Sequence, residues 1–336
     1  MPCRRLAVAA VAAVVIAAAV AGPAGCAARR RTGRGPAAGD TDEPELEPWL
    51  VRRTRPSVLL TQGPAPGPST PPPLLPGMER VSYPSAARGL ELSLAAVVAS
   101  PRRAPESGGV PFERLPAVLL LHPGSALTVE HLAWAAPFLE ADVVVLFPTW
   151  RGEHGNPGTY ELLAGEVDDL KAAARWLASQ PDVDVDRLSV FGHAEGGALA
   201  TLSALDPDVP FAHVAASSAV TTATTFVRWQ RQDARRVPFD PSNLVEQRLR
   251  ALVENAAELA RPLVLYLGDE DVEGARDARR VQERAAVKVE VVTVPGEGDA
   301  VVRAALQRFL ALVTTGDGAV PVAATWPRAG ASRSAP

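Results

Sequence analysis

The feature that most constrains the fold is a series of short, unbroken apolar runs: "AVLLL" at 117–121, "DVVVLF" at 142–147, "RLSVF" at 187–191, "FAHVAASSAV" at 211–220, "PLVLYLG" at 262–268 and "VKVEVVTV" at 287–294. Continuous rather than alternating hydrophobicity suits strands covered on both faces. Between them lie stretches of helical composition. "LTVEHLAWAAPFLE" at 127–140 reads as a crossover helix, a helix over 160–180 sets Leu163, Val167, Leu170, Ala174 and Leu177 on one face, and a last helix over 301–313 repeats the spacing with Ala305, Phe309 and Leu312. Strands alternating with helices imply an α/β fold with a mostly parallel central sheet, helices on both faces, and ligands beyond the carboxyl ends of the strands. "RVSYP" and "LELSLAAVVAS" add an opening hairpin.

Residues 221–260 interrupt this alternation with a polar, arginine-rich stretch and a helix pattern, "SNLVEQRLRALVENAAELA". Two readings stand side by side: a small cap over the ligand edge, or an ordinary crossover with a long loop.

The ends differ in composition from the body. Residues 1–26 carry Arg4 and Arg5, an apolar run from Leu6 to Ala21, then small residues ending in "GPAGC", the order of an export signal. The run is alanine-rich and shorter than the ~20 apolar residues a spanning helix needs. "AGC" resembles a bacterial lipobox, with Cys26 as the lipidated residue and Pro23 as a departure from the usual aliphatic residue. Localisation in a bacterial cell envelope, with membrane attachment through a lipid anchor, is the expectation. Residues 27–77, with "RRRTGRG", "DEPELEPW" and "PAPGPSTPPPLLPG", read as a disordered proline-rich tether. The globular domain then spans 78–315, and 316–336 is a disordered tail.

Composition narrows the function. Hydrophobic residues make up 47% of the chain and the formal net charge is −4, so neither a disordered body nor a nucleic-acid partner is expected. The two cysteines, Cys3 and Cys26, precede the body, which leaves it without a thiol nucleophile or a disulfide. The five histidines, His122, His131, His154, His193 and His213, show no paired helical spacing. No metal or cofactor is expected.

The stretch "SVFGHAEGGALA" at 189–200 has the form of a strand, a sharp glycine turn and a helix start, the setting in which a hydrolase displays its nucleophile. Taken with "AVLLLHPGSA", "VVLFPTWRGEHGNPG", "EVDDLKAAARWLASQPDVDVDRLSVFGHAEGG" and "LVLYLGDEDV", in that order, it resembles the α/β-hydrolase superfamily from about Val81 to Val313. The likeness is to the prolyl oligopeptidase and dienelactone hydrolase branches.

That resemblance implies a nucleophile serine on the elbow, a carboxylate after a later strand and a histidine after the last strand. Ala194 stands at the serine position, Asp271 matches the acid, and Asp299 takes the histidine's place; no histidine follows His213. It also implies oxyanion or ligand-binding backbone donors at Gly124 or Ser125 and at Glu195, with Pro123 unable to donate. Arg151 and Gly152 are expected to stabilise their turn, and Trp134 and Trp176 to be core.

Two functions follow from different classes. One is a pseudo-hydrolase, a binding or scaffolding protein for a small carbonyl or carboxylate ligand or for an envelope protein. The other is an exported serine esterase or peptidase with a relocated nucleophile at Ser125, Ser217 or Ser218 and His122 or His193 as base.

Overall fold

The computed structural model describes residues 47–60, 70–87, 89–101, 114–124, 126–234 and 236–315. The signal and lipobox region, most of the expected tether and the tail after 315 lie outside the described residues. After a short helix, α1 (Trp49–Arg52), come the hairpin strands β1 (Met78–Ala87) and β2 (Leu90–Ala99), then β3 (Leu115–Leu121), α2 (Val129–Leu132), α3 (Ala136–Glu140), β4 (Val144–Pro148), α4 (Gly165–Ala178) and β5 (Val183–His193). They are followed by α5 (Ala194–Ser203), β6 (His213–Ser217), α6 (Ala223–Gln232), α7 (Leu244–Arg250), α8 (Leu252–Asn255), β7 (Leu263–Gly268), α9 (Val272–Arg284), β8 (Val289–Val294) and α10 (Asp299–Thr315).

The eight strands form one sheet in the order β1-β2-β4-β3-β5-β6-β7-β8. The β1–β2 and β2–β4 pairs are antiparallel, and every pair from β4–β3 to β7–β8 is parallel. The continuous apolar runs serve both faces. On β3, Leu119 and Leu121 pack with Val167 and Leu170 of α4 and Leu199 of α5, whereas Val118 and Leu120 pack with Phe138 of α3 and Phe309 of α10. This is the α/β-hydrolase arrangement anticipated from the sequence, and it sets the ends of β3, β5, β7 and β8 along one edge.

Three expected helices begin late or break. The 127–140 segment divides into α2, a tight turn and α3, with Pro137 in the first turn of α3, where its missing N–H does no harm. The 160–180 helix starts only at Gly165, because Leu162 and Leu163 have positive φ, which a right-handed helix cannot accommodate. In the 221–260 segment the helix parts at Ala251: the Thr221 hydroxyl donates to the Arg250 carbonyl at 3.0 Å and accepts from the Leu252 amide at 3.1 Å.

The domain start at residue 78 requires correction. Residues 47–60 form a strap packed on the body, not an unpacked tether. Trp49 is 1% exposed and donates its indole N–H to the Leu249 carbonyl at 2.9 Å. Arg52 pairs with Glu258 at 2.9 Å, Ser57 donates to Glu246 at 2.7 Å, and the Leu60 amide donates to the Pro238 carbonyl at 2.7 Å. Burying one tryptophan in this way contributes on the order of 3 kcal/mol. Pro48 precedes α1, and Pro56 sits exposed between Arg52 and Ser57, so neither takes a donor from these contacts. Among the described residues, no helix is long and apolar enough to cross a membrane.

Candidate functional site

The elbow lies where β5 runs into α5. Gly192 and Gly196 are demanded by close approach: a Cβ on Gly192 would lie 2.1 Å from the Gly196 carbonyl oxygen, and one on Gly196 would lie 2.5 Å from the carbonyl oxygens of both Leu121 and His122. Between them Ala194 sits at φ 49°, left-handed backbone that costs an L-residue about 1 kcal/mol. The turn therefore has the sharp form that presents a side chain at a sheet edge, and the side chain it presents is a methyl group.

Of the donors expected to hold a carbonyl or carboxylate, the Gly124 amide is already engaged. The Gly124 amide donates to Glu195 Oε2 at 3.0 Å, and the other carboxylate oxygen of Glu195 accepts from Arg236. The Arg236 guanidinium lies 4.1 Å from the centre of the Trp229 ring, which sits on α6. Burial works against a charge on Glu195, but Arg236, the Gly124 amide and the residue's own backbone amide outweigh it and hold its carboxyl below the ordinary value. The protein thus places its own carboxylate on the Gly124 donor. Ser125 lies outside the described residues. Arg236, in the segment between β6 and β7, thus reaches the elbow.

The space beside the elbow is nearly filled. A pocket lined by His122, Trp150, Tyr160, Glu166 and Glu195 has room for about one water molecule. At its floor, burial pushes the Glu166 carboxyl up to about 7, opposed by Arg151. Arg151 itself forms a two-pronged pair with Asp169, at 2.9 and 2.7 Å, and this pair fixes its turn as expected.

The candidate bases separate. His122 is fully buried, donates through Nδ1 to the Pro123 carbonyl at 3.2 Å and has Nε2 3.3 Å from Glu153, a contact without hydrogen-bond geometry. Burial opposes its protonation, but Glu153 raises its pKa overall. His122 stacks on His131 at 5.7 Å, and it serves the packing under the loop rather than the elbow. His193 shares a 2.8 Å hydrogen bond with the Ser217 hydroxyl, and burial lowers its pKa although Glu195 and Asp299 oppose this. Ser217 is wholly buried, while Ser218 is exposed at φ 51°.

The two acidic positions take other roles. Asp271 caps α9, its Oδ1 accepting from the Gly274 amide at 2.8 Å, and exposed Asp299 opens α10. It is Asp269, two residues before Asp271, that ties these loops together by accepting from the Gly296 amide at 3.0 Å. Among the described residues no group of three or more His, Cys, Asp or Glu is arranged to hold a metal ion.

Sequence reasoning missed Arg236 as a site residue. Its only signal was a place in the arginine-rich stretch at 221–260, 41 residues from its partner.

Comparison with known proteins agrees with the fold. Residues 130–310, more than half of the chain, match the model of the prolyl oligopeptidase family. An uncharacterized protein of Mycobacterium tuberculosis is 30% identical over 155 residues, which cover 46% of this chain and 52% of that one. The uncharacterized peptidase YtmA of Bacillus subtilis is 25% identical over 151 residues, covering 40% and 54%. The chain spans about half the length of these curated relatives. Among solved structures, a puromycin-hydrolyzing peptidase of Mycobacterium tuberculosis superposes with a TM-score of 0.57 at 20% identity, covering 70% of this chain and 39% of that one, a likeness of fold.

Proposed function

The chain belongs to the prolyl oligopeptidase family, and from that premise we propose that it is a non-catalytic member, a binding or scaffolding protein of a bacterial envelope that keeps the family body without its hydrolytic chemistry. The observation that carries the reading is the elbow itself. Ala194 has no atom able to attack a carbonyl, and the Gly124 donor that would hold an oxyanion is occupied by Glu195. A small carbonyl or carboxylate ligand reaches that donor only by displacing a paired carboxylate. Of the two partner classes, this favours an envelope protein.

Export and a lipid anchor at Cys26 are part of the proposal and rest on the order of charged, apolar and small residues over 1–26. In a bacterium that processes lipoproteins, the chain is expected to incorporate labelled fatty acid, and Cys26→Ser to abolish incorporation. Equal labelling of the two would remove the anchor.

A second reading has one observation in its favour. The 2.8 Å bond between His193 and Ser217 pairs a hydroxyl with an imidazole, as a serine hydrolase requires, though a wholly buried Ser217 offers no path to a substrate. Intact mass after incubation with a fluorophosphonate separates the readings. The first expects no adduct; a stoichiometric adduct that disappears in Ser217→Ala would establish the second.

A further inference from the structure

Nine large aliphatic side chains stand exposed among the described residues, and their distribution is uneven. Leu90, Val185 and Val272 lie singly on β2, β5 and α9, as scattered surface apolar residues commonly do. The other six are Leu50 (41% exposed), Val51 (44%), Val58 (61%) and Leu60 (64%) on the strap, with Leu244 (60%) and Val245 (50%) in the first turn of α7.

The strap lies against that helix. The Val58 amide donates to Glu246 at 2.8 Å, and the Trp49 indole reaches Leu249. Within the strap the residues sort by side. Trp49 and Arg52 of α1 face the body while Leu50 and Val51 do not; in the extended part Ser57 and Leu59 face inward, Leu59 bridging to Phe239, and Val58 and Leu60 point out. The outward side of the strap, with exposed Thr54 and Arg55 among its apolar residues, adjoins the start of α7 at Val58, and the two make up a largely apolar face.

We propose that this face rests on a lipid bilayer surface, the one to which the amino-terminal region is anchored; the proposal rests on the reading of Cys26 as lipidated. Two considerations select lipid over another protein copy. First, six partly exposed aliphatic side chains supply a few hundred Å² of apolar surface, short of the roughly 800 Å² per partner that a stable protein interface buries. A bilayer sets no such minimum, because an anchor holds the face at high effective concentration and weak contact then suffices. Second, the strap is the first described part of the body after Cys26. The 20 residues at 27–46 reach at most about 70 Å, so the strap is the part of the body held nearest the anchor along the chain. The same contact orients the 221–260 segment, since the strap grips α7 through Glu246 and the α8 region through Asn255 and Glu258.

The test uses the full chain, produced in a lipoprotein-processing bacterium and reconstituted into phosphatidylcholine–phosphatidylglycerol vesicles. Single-cysteine variants Val58→Cys, Leu60→Cys and Leu244→Cys, with Val272→Cys as the distant control and Cys3→Ser throughout, carry an environment-sensitive fluorophore. Brominated lipid is expected to quench the three face positions at least twofold more than position 272. Three positions guard against one variant that folds poorly, and melting temperatures identify it. Vesicle flotation with equal quenching at all four positions would overturn this proposal while leaving the anchor intact. A chain that neither floats nor incorporates fatty acid would overturn the anchor and this proposal with it. Disulfide-linked dimers of Leu244→Cys on the vesicles would assign the face to a second copy and also overturn it.

Discussion

The elbow after β5 and the loops after β7 and β8 lie along the same edge of one sheet, yet different forces hold them. At the elbow the constraint is backbone against backbone: Gly192 against Gly196, and Gly196 against the carbonyls of Leu121 and His122. In the loops the constraint is side-chain capping: Asp271 on the start of α9 and Asp269 on the Gly296 amide, with open space around Gly298. A turn fixed by backbone packing keeps its shape whatever side chain stands on it, so Ala194 rides on a strained φ that only a displayed side chain would use. Loops fixed by carboxylates keep their acids for structural reasons, and Asp271 needs no catalytic partner to explain it.

The two regions differ most at their glycines. Gly192→Ala is expected to cost roughly 3 kcal/mol or more, because the new Cβ meets a backbone oxygen that cannot move aside. Gly298→Ala, at φ +52° with nothing near its Cβ, is expected to cost only about 1 kcal/mol. Urea denaturation of both variants measures the difference; equal losses would dissolve the distinction between the regions.

Acid sensitivity is the next effect and belongs to the elbow end. Burial lowers the His131 pKa to about 4, reinforced by neighbouring His122, and neutral His131 Nδ1 accepts the Thr128 amide at 3.1 Å. The folded protein binds this proton more weakly than the unfolded chain does. The stability involved is therefore whole above about pH 6.5 and is lost as pH falls towards 4, by on the order of 2 kcal/mol. His131→Gln is expected to flatten the stability–pH curve in that window, and an unchanged slope would show that His131 is not held neutral.

Smaller effects separate the carboxylates. Glu195→Gln weakens the pair with Arg236, a residue one-third exposed, and is expected to cost about 1–2 kcal/mol. Asp271→Asn is expected to cost less than about 0.5 kcal/mol, since asparagine caps a helix as well as aspartate does. If Asp271→Asn proved the more damaging, the loop carboxylate would have a role beyond capping.

The sheet was legible because its strands are buried on both faces and so announce themselves as unbroken apolar runs; the elbow was legible because close approach leaves no residue but glycine at 192 and 196. Less could be read where long-range contacts decide. The helix break at Ala251 depends on Thr221, 30 residues earlier, and the turn that delays α4 is held by Arg250, which donates to the Glu161 and Leu162 carbonyls. The strap was hidden by the prolines around it: composition describes the average of 27–77, whereas docking depends on Trp49, Arg52 and Ser57 finding partners about 190 to 210 residues away. The occupied donor was invisible for the same reason, since nothing local links Glu195 to Gly124 or to Arg236.

Glu195 on the Gly124 amide is what closes the elbow, and that amide reports on it directly. In protein labelled with ¹⁵N-glycine, the Gly124 resonance is expected to titrate with a midpoint below the ordinary glutamate value of about 4.5 as Glu195 protonates and releases it. Glu195→Gln is expected to abolish the titration. A Gly124 amide that shows no titration in the parent, or titrates unchanged in Glu195→Gln, would mean that the donor is free and that the elbow is open to a ligand.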